Sequence, residues 1–227
     1  MAVGMFHYNE IARAIRLTCQ GATALTEDVT SGTEVSVGSN ELFEIGDEAH
    51  IRDADGEESV TVVGKVGLTT VMVEPEIDGE YLVSKGARME LADGALELRW
   101  VGQGSPELMP RLPVERYPCV LVKPSRMRQP LNEGSNRTVQ QDYEFDVYYV
   151  ERYEDGQRAN VEALERAGAI FETIMRDPYL GGTCWHSQVI EVEPEPDVQR
   201  RLREEEKPLR VVRMTVLARR AAVVNAK

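Results

Sequence analysis

The spacing of apolar side chains changes character several times along the chain. Over residues 8–19, Tyr8, Ile11, Ala12, Ile15 and Cys19 share one helical face, and Glu10, Arg13, Arg16 and Gln20 the other. Asn9 reads as the cap of this helix and Gly21 as its stop. From Thr26 to about Leu98 the period shortens. Glu34–Val37, Ala49–Arg52, Ser59–Val63, Thr70–Val73 and Arg88–Leu91 are β-type runs between Gly38, Gly46-Asp47, Asp55-Gly56, Gly67, Asp78-Gly79 and Lys85-Gly86. Short strands at such intervals predict a small barrel or sandwich. Asp55-Gly56 is the best hairpin signal and points to a type I′ turn.

Residues 102–118 are dense in Gly and Pro and read as a linker. The second half follows a different pattern. Cys119–Lys123 is a short apolar strand, and Asp142–Val150 alternates, with Tyr143, Phe145, Val147 and Tyr149 on one side. Ser125–Thr138 between them is polar and reads as a long loop, of a length that is usually functional. Gln157–Arg176 is the strongest helix. Its apolar stripe is Val161, Leu164, Phe171, Ile174 and Met175, its cap Asp155, its stop Asp177-Pro178. Ser187–Val192 and Leu209–Ala218 are two further strands around a charged segment. The expected fold is α+β: a β-β-α-β-β sheet with helices on one face, from residues 1–25 and 99–227. A small all-β barrel-like domain, residues 26–98, is inserted into it.

Charge sharpens this division. The chain has 26 basic and 39 acidic residues, a net charge of −13. Residues 27–97 alone hold 18 acidic and 4 basic side chains, a net of −14, so the remainder is nearly neutral. This balance disfavours a protein that grips nucleic acid by neutralising phosphates over its whole surface. Three widely spaced cysteines, Cys19, Cys119 and Cys184, make a disulfide framework unlikely and read as reduced core residues. Met1–Asn9 does not have the pattern of a secretory leader, and no apolar run has the length of a membrane helix. No membrane is expected among the partners.

Familiar catalytic and metal patterns are missing. His7, His50 and His186 are scattered, and Cys184 with His186 lacks a companion pair, so no metal site is expected. Asp53-Ala54-Asp55-Gly56 lacks the ligand spacing and closing Glu of a calcium loop and reads as a turn. There is no Gly-x-Ser-x-Gly elbow and no Walker loop. A binding protein without cofactor is expected rather than an enzyme. The surface candidates are Arg126, Arg128 and Arg137 in the long loop, and Arg200, Arg201 and Arg203 beside Glu204–Glu206. Both groups are candidate contacts with a subunit or partner. Asp47, Glu48, Asp53, Asp55, Glu57 and Glu58 form a candidate acidic surface.

The region from Tyr117 onward resembles the tail terminator, or tail completion, proteins of long-tailed bacteriophages. The resemblance rests on the strand Pro118–Val122, the long loop, the strand Tyr143–Val150, and the helix ending in Asp177-Pro178-Tyr179-Leu180-Gly181-Gly182. Two closing strands follow, and the N-terminal helix fits the family's first helix. The inserted acidic module departs from the simple family pattern. The resemblance implies a virion structural protein, assembled in host cytoplasm and located at the tail neck. It implies a homohexameric ring that ends the tail tube and joins it to the head connector. Its partners are then itself, the tail tube protein and the head–tail connector, with DNA only passing through. An acidic lumen would repel that DNA. The alternatives are a head–tail neck adaptor or a cellular adaptor with an acidic β-module.

Overall fold

A computed structural model describes residues 3–92, 98–105, 113–128, 138–152, 158–194 and 209–223. The fold is α+β and mostly β, with two α-helices and eleven strands among these residues. Helix α1 (Val3–Cys19) precedes strands β1 (Ala22–Ala24), β2 (Gly32–Ser36), β3 (Glu48–Arg52), β4 (Glu57–Val66), β5 (Thr70–Ile77) and β6 (Arg88–Leu91). Strands β7 (Trp100–Gln103), β8 (Cys119–Arg128) and β9 (Thr138–Arg152) follow. Helix α2 (Arg158–Arg176), β10 (His186–Pro194) and β11 (Leu209–Val223) complete the order.

The first sheet is antiparallel, in the order β1-β6-β3-β4-β5-β2. It curls into a half-barrel, and a bridge from Leu25 to Val37 brings its edge strands together. Alternation dictates the filling: Ala49 and Ile51, Val60 and Val62, and Val71 and Val73 face inward with Val35, Met89 and Phe43. All buried members of this core lie between residues 25 and 89. The β3–β4 hairpin falls at the expected place, but neither Asp55 nor Gly56 has a positive φ. Four residues, Asp53–Gly56, span it instead of two. The Asp53 carboxylate holds the turn by accepting from the Asp55 and Gly56 N–H groups at 2.8 and 3.1 Å. An Asx turn thus replaces the type I′ turn.

The second sheet has the order β10-β11-β9-β8-β7. All its pairs are antiparallel except β7 with β8. Strand β7 runs into the stretch expected to be a linker, with Gly102 and Gln103 inside it. Four residues suffice for it, with Gly102 buried under the Trp100 indole, where a Cβ would clash. Strand β1 likewise joins the first sheet from within residues 1–25, which were expected to belong to the other domain. Both helices pack on one face of the second sheet. Their core joins Ile11, Ile15 and Cys19 to Tyr143, Phe145, Val147 and Tyr149 and to Met214 and Val216. Tyr8 meets Tyr143 edge-on at 5.0 Å between centroids. Helix α1 begins before Asn9, which lies inside it and does not cap it. Gly21, at φ 72°, ends it as expected.

Candidate interaction surfaces

The polar stretch expected as a loop begins and ends as strand, and residues 129–137 between lie outside the described ones. Strand β8 continues to Arg128 and β9 starts at Thr138, so Arg126 and Arg128 sit on an extended hairpin arm. A register shift near Ser125 then sets Arg126 opposite Glu144 and Arg128 opposite Asp142. Arg128 pairs with Glu144 at 3.1 Å, and Arg219 of β11 reaches Asp142 at 3.4 Å. The open face of the arm is therefore a ladder of alternating charge, anchored on its own strands. Exposed rungs of this type add little stability but fix side-chain geometry. Arg137, Arg200, Arg201 and Arg203 lie outside the described residues, as does Asp155.

Toward the other end of the same face the sheet turns apolar. Tyr117, Cys119, Leu121, Tyr148, Val150, Leu209 and Val211 form a buried cluster, with Trp100 packed against it. Arg116 lies over the Trp100 ring at 5.2 Å. The three cysteines are buried free thiols, and burial pushes each up to about 12.

The six acidic candidates do not form one continuous surface. Asp47 and Glu48 stand at one end of β3, and Asp53, Asp55, Glu57 and Glu58 at the other. Most also have structural partners. Asp47 accepts from the Glu44 N–H at 2.8 Å. Asp53 also accepts from the Leu82 N–H, and these backbone bonds hold its carboxyl below the usual range. Asp55 pairs with Lys85 at 2.6 Å, and Glu57 with Arg52 at 3.5 Å. Glu58 accepts from the N–H groups of Asp78 and Gly79 and from the Tyr81 hydroxyl. Burial, and Glu58 after it, pushes that phenol up to about 12. The acidity is in large part the turn chemistry of the half-barrel.

Of the stripe expected to bury α2, Ile174 lies in the core and Phe171 packs against it, but the other three residues do not. Ala163, Ala167, Ile170 and Ile174 face the core, and the two alanines let the helix lie close to the sheet. Arg166 pairs with the buried Glu151 carboxylate, which also accepts from the Tyr149 hydroxyl at 3.1 Å. Val161, Leu164 and Met175, expected in the core, are instead exposed, at 58, 41 and 42 %. Beside them runs β10, an edge strand among the described residues, with exposed Ile190 and Val192, and with exposed Trp185 just before it. The Val189 N–H meets the Met175 sulfur at 3.5 Å, so helix and strand form one surface. These exposed apolar side chains form a strip beside the outer edge of β10, which is open among the described residues.

The corner Asp177–Gly182 is where the two sheets meet. Leu180, Gly181 and Gly182 all have positive φ, at 46, 60 and 75°. Full burial of Leu180 offsets its strain. A Cβ on Gly38 of the half-barrel would overlap the Gly181 carbonyl oxygen, and one on Gly182 would stand 2.5 Å from the Gly38 oxygen. Asp177 is fully buried there, accepting from the N–H groups of Gly181 at 2.6 Å and Tyr179 at 3.3 Å and from the Ser39 hydroxyl. Desolvation nonetheless raises its pKa. Among the described residues no three His, Cys, Asp or Glu side chains are grouped to hold a metal ion. No helix there is long and apolar enough to cross a membrane. No protein-family model matches the chain, and no curated protein matches it either.

Proposed function

We propose that this protein is a structural subunit that closes with five copies of itself into a ring. In this reading the ring ends the tail tube of a long-tailed phage and joins it to the head connector. The observation that carries it is the apolar strip of α2 and β10 beside an open sheet edge. Contiguous exposed apolar surface marks an interaction site, and unpaired edge strands invite pairing. The opposite edge, β7, is also open among the described residues. Two unlike edges on one sheet suit a heterologous contact, and such contacts build rings when the rotation closes. In the same reading the hairpin arm with Arg126 and Arg128 reaches a neighbour or the tube, and the acidic half-barrel faces passing DNA.

The test is the mass and symmetry of the full chain, alone and with tail tube protein, by light scattering and electron microscopy. The expected particle holds six copies of the 25.4 kDa chain. Val161→Glu with Leu164→Glu should leave a folded monomer, because both side chains are solvent-facing in the single chain. A wild-type chain that stays monomeric with and without the tube protein refutes the reading.

A further inference from the structure

The charged face of α1 does not simply meet solvent. Arg13, Arg16 and Gln20 turn toward the half-barrel, and a cleft of about 400 Å³ opens between them. In a chain of strongly negative charge its lining is basic: Arg13 and Arg16 from α1, with Lys85 and Arg88 from the entry to β6. Among the described residues Asp53 is the only carboxylate on that lining, and backbone N–H groups occupy both of its oxygens. Lys85 is held by Asp55, and Arg88 by Glu90 at 3.3 Å. Arg16 donates from Nε to the Ala12 carbonyl, leaving its terminal nitrogens without partners among the described residues. Arg13 has no hydrogen-bond or ion-pair partner among them. Arg13 and Arg16 are neighbours on one face of α1 and line the same cleft, a spacing from which two guanidinium groups can fork onto a single anion.

A second cavity of about 170 Å³ adjoins the first, and Arg13, Leu17 and Ala24 line both. Its walls are mainly apolar, with Ala14, Ala22 and Leu180. Glu10 at its margin is paired with Arg220 at 2.5 Å and with His7 at 3.4 Å. Three threonines, Thr18, Thr23 and Thr183, interrupt the apolar lining. Thr23 is 1 % exposed, and its Oγ1 has no hydrogen-bond partner. A buried hydroxyl is rarely left unpaired unless something else supplies the partner.

We propose that the paired cavities bind a small amphipathic anion. Its phosphate or carboxylate head lies between Arg13 and Arg16, its short apolar tail enters the inner cavity, and an oxygen at the tail's end accepts from Thr23. The inner volume holds about five groups of water size, at ~30 Å³ each, which fits a tail of four or five carbons. This site is independent of the ring reading. Titration calorimetry of the full chain tests it, with 4-hydroxybutyl phosphate and 5-hydroxypentanoate as probes and inorganic phosphate, butanol and duplex DNA as comparisons. At least one probe should bind some tenfold more tightly than both inorganic phosphate and butanol. Arg13→Gln with Arg16→Gln should lose at least tenfold, and the isosteric Thr23→Val a smaller but measurable part, with unchanged circular dichroism. Neither probe exceeding inorganic phosphate would overturn the proposal, as would undiminished affinity in the double variant. So would duplex DNA that binds through these arginines and is not displaced by the better probe.

Discussion

Asp177 shows how much one side chain can concentrate. Its carboxylate receives two backbone N–H groups and the Ser39 hydroxyl at the seam between the sheets, yet it is fully out of water. Desolvation outweighs those bonds, and Glu41 adds to it, so the folded pKa lies above the ordinary 3.8. For a carboxyl shifted upward, the folded state holds its proton more tightly than the unfolded chain does. The stability linked to that proton is complete below about pH 3.8 and is lost as pH rises through the raised folded value. Subtracting the unfolding free energy of Asp177→Asn from that of the wild type isolates this contribution. Between pH 3 and 7 the difference should move against the wild type. A flat difference would show that solvent reaches the carboxylate after all.

At the scale of elements, local bonds hold the connections and burial holds the strands. Asn40 is fully buried in the β2–β3 connection, and its amide donates to the Gly67 and Thr70 carbonyls at 3.1 and 2.9 Å. It ties that connection to the β4–β5 turn. Asn40→Ala would leave both carbonyls short of a donor, and denaturant titration should show a loss of about 2–3 kcal/mol. Strands β2 to β6 were readable in sequence because one face of each is apolar and the other wet. Strand β1, Ala-Thr-Ala, is too short to show a period, and β7 is hidden by glycine. The outer part of β8 was read as loop because both of its faces are polar beyond the core. The face of α2 was read only in part, at Phe171 and Ile174, because alanines do much of the packing and the larger Val161 and Leu164 point outward. Arg13, Arg16 and Gln20 looked like an ordinary wet helix face. The surface opposite them is supplied some 65 residues later, which no window along the chain reveals.

The whole molecule is two sheets with separate cores, joined where Gly38 meets Gly181 and Gly182. The contact is backbone on backbone, so no rotamer change can make room for a side chain. Gly38→Ala should cost about 3 kcal/mol, a fall of roughly 6 to 12 °C in melting midpoint. If the seam parts before either core melts, the loss will appear as a second, earlier transition in calorimetry.

Strands β9 and β11 pair over fifteen positions without a register break. That ladder extends roughly 50 Å, at about 3.4 Å per residue. Pulled along its axis, such a ribbon is loaded in shear, and its rungs share the force together rather than failing one after another. The pair is thus a stiff spar, and a tug on the hairpin arm would reach the helix-covered core with little give.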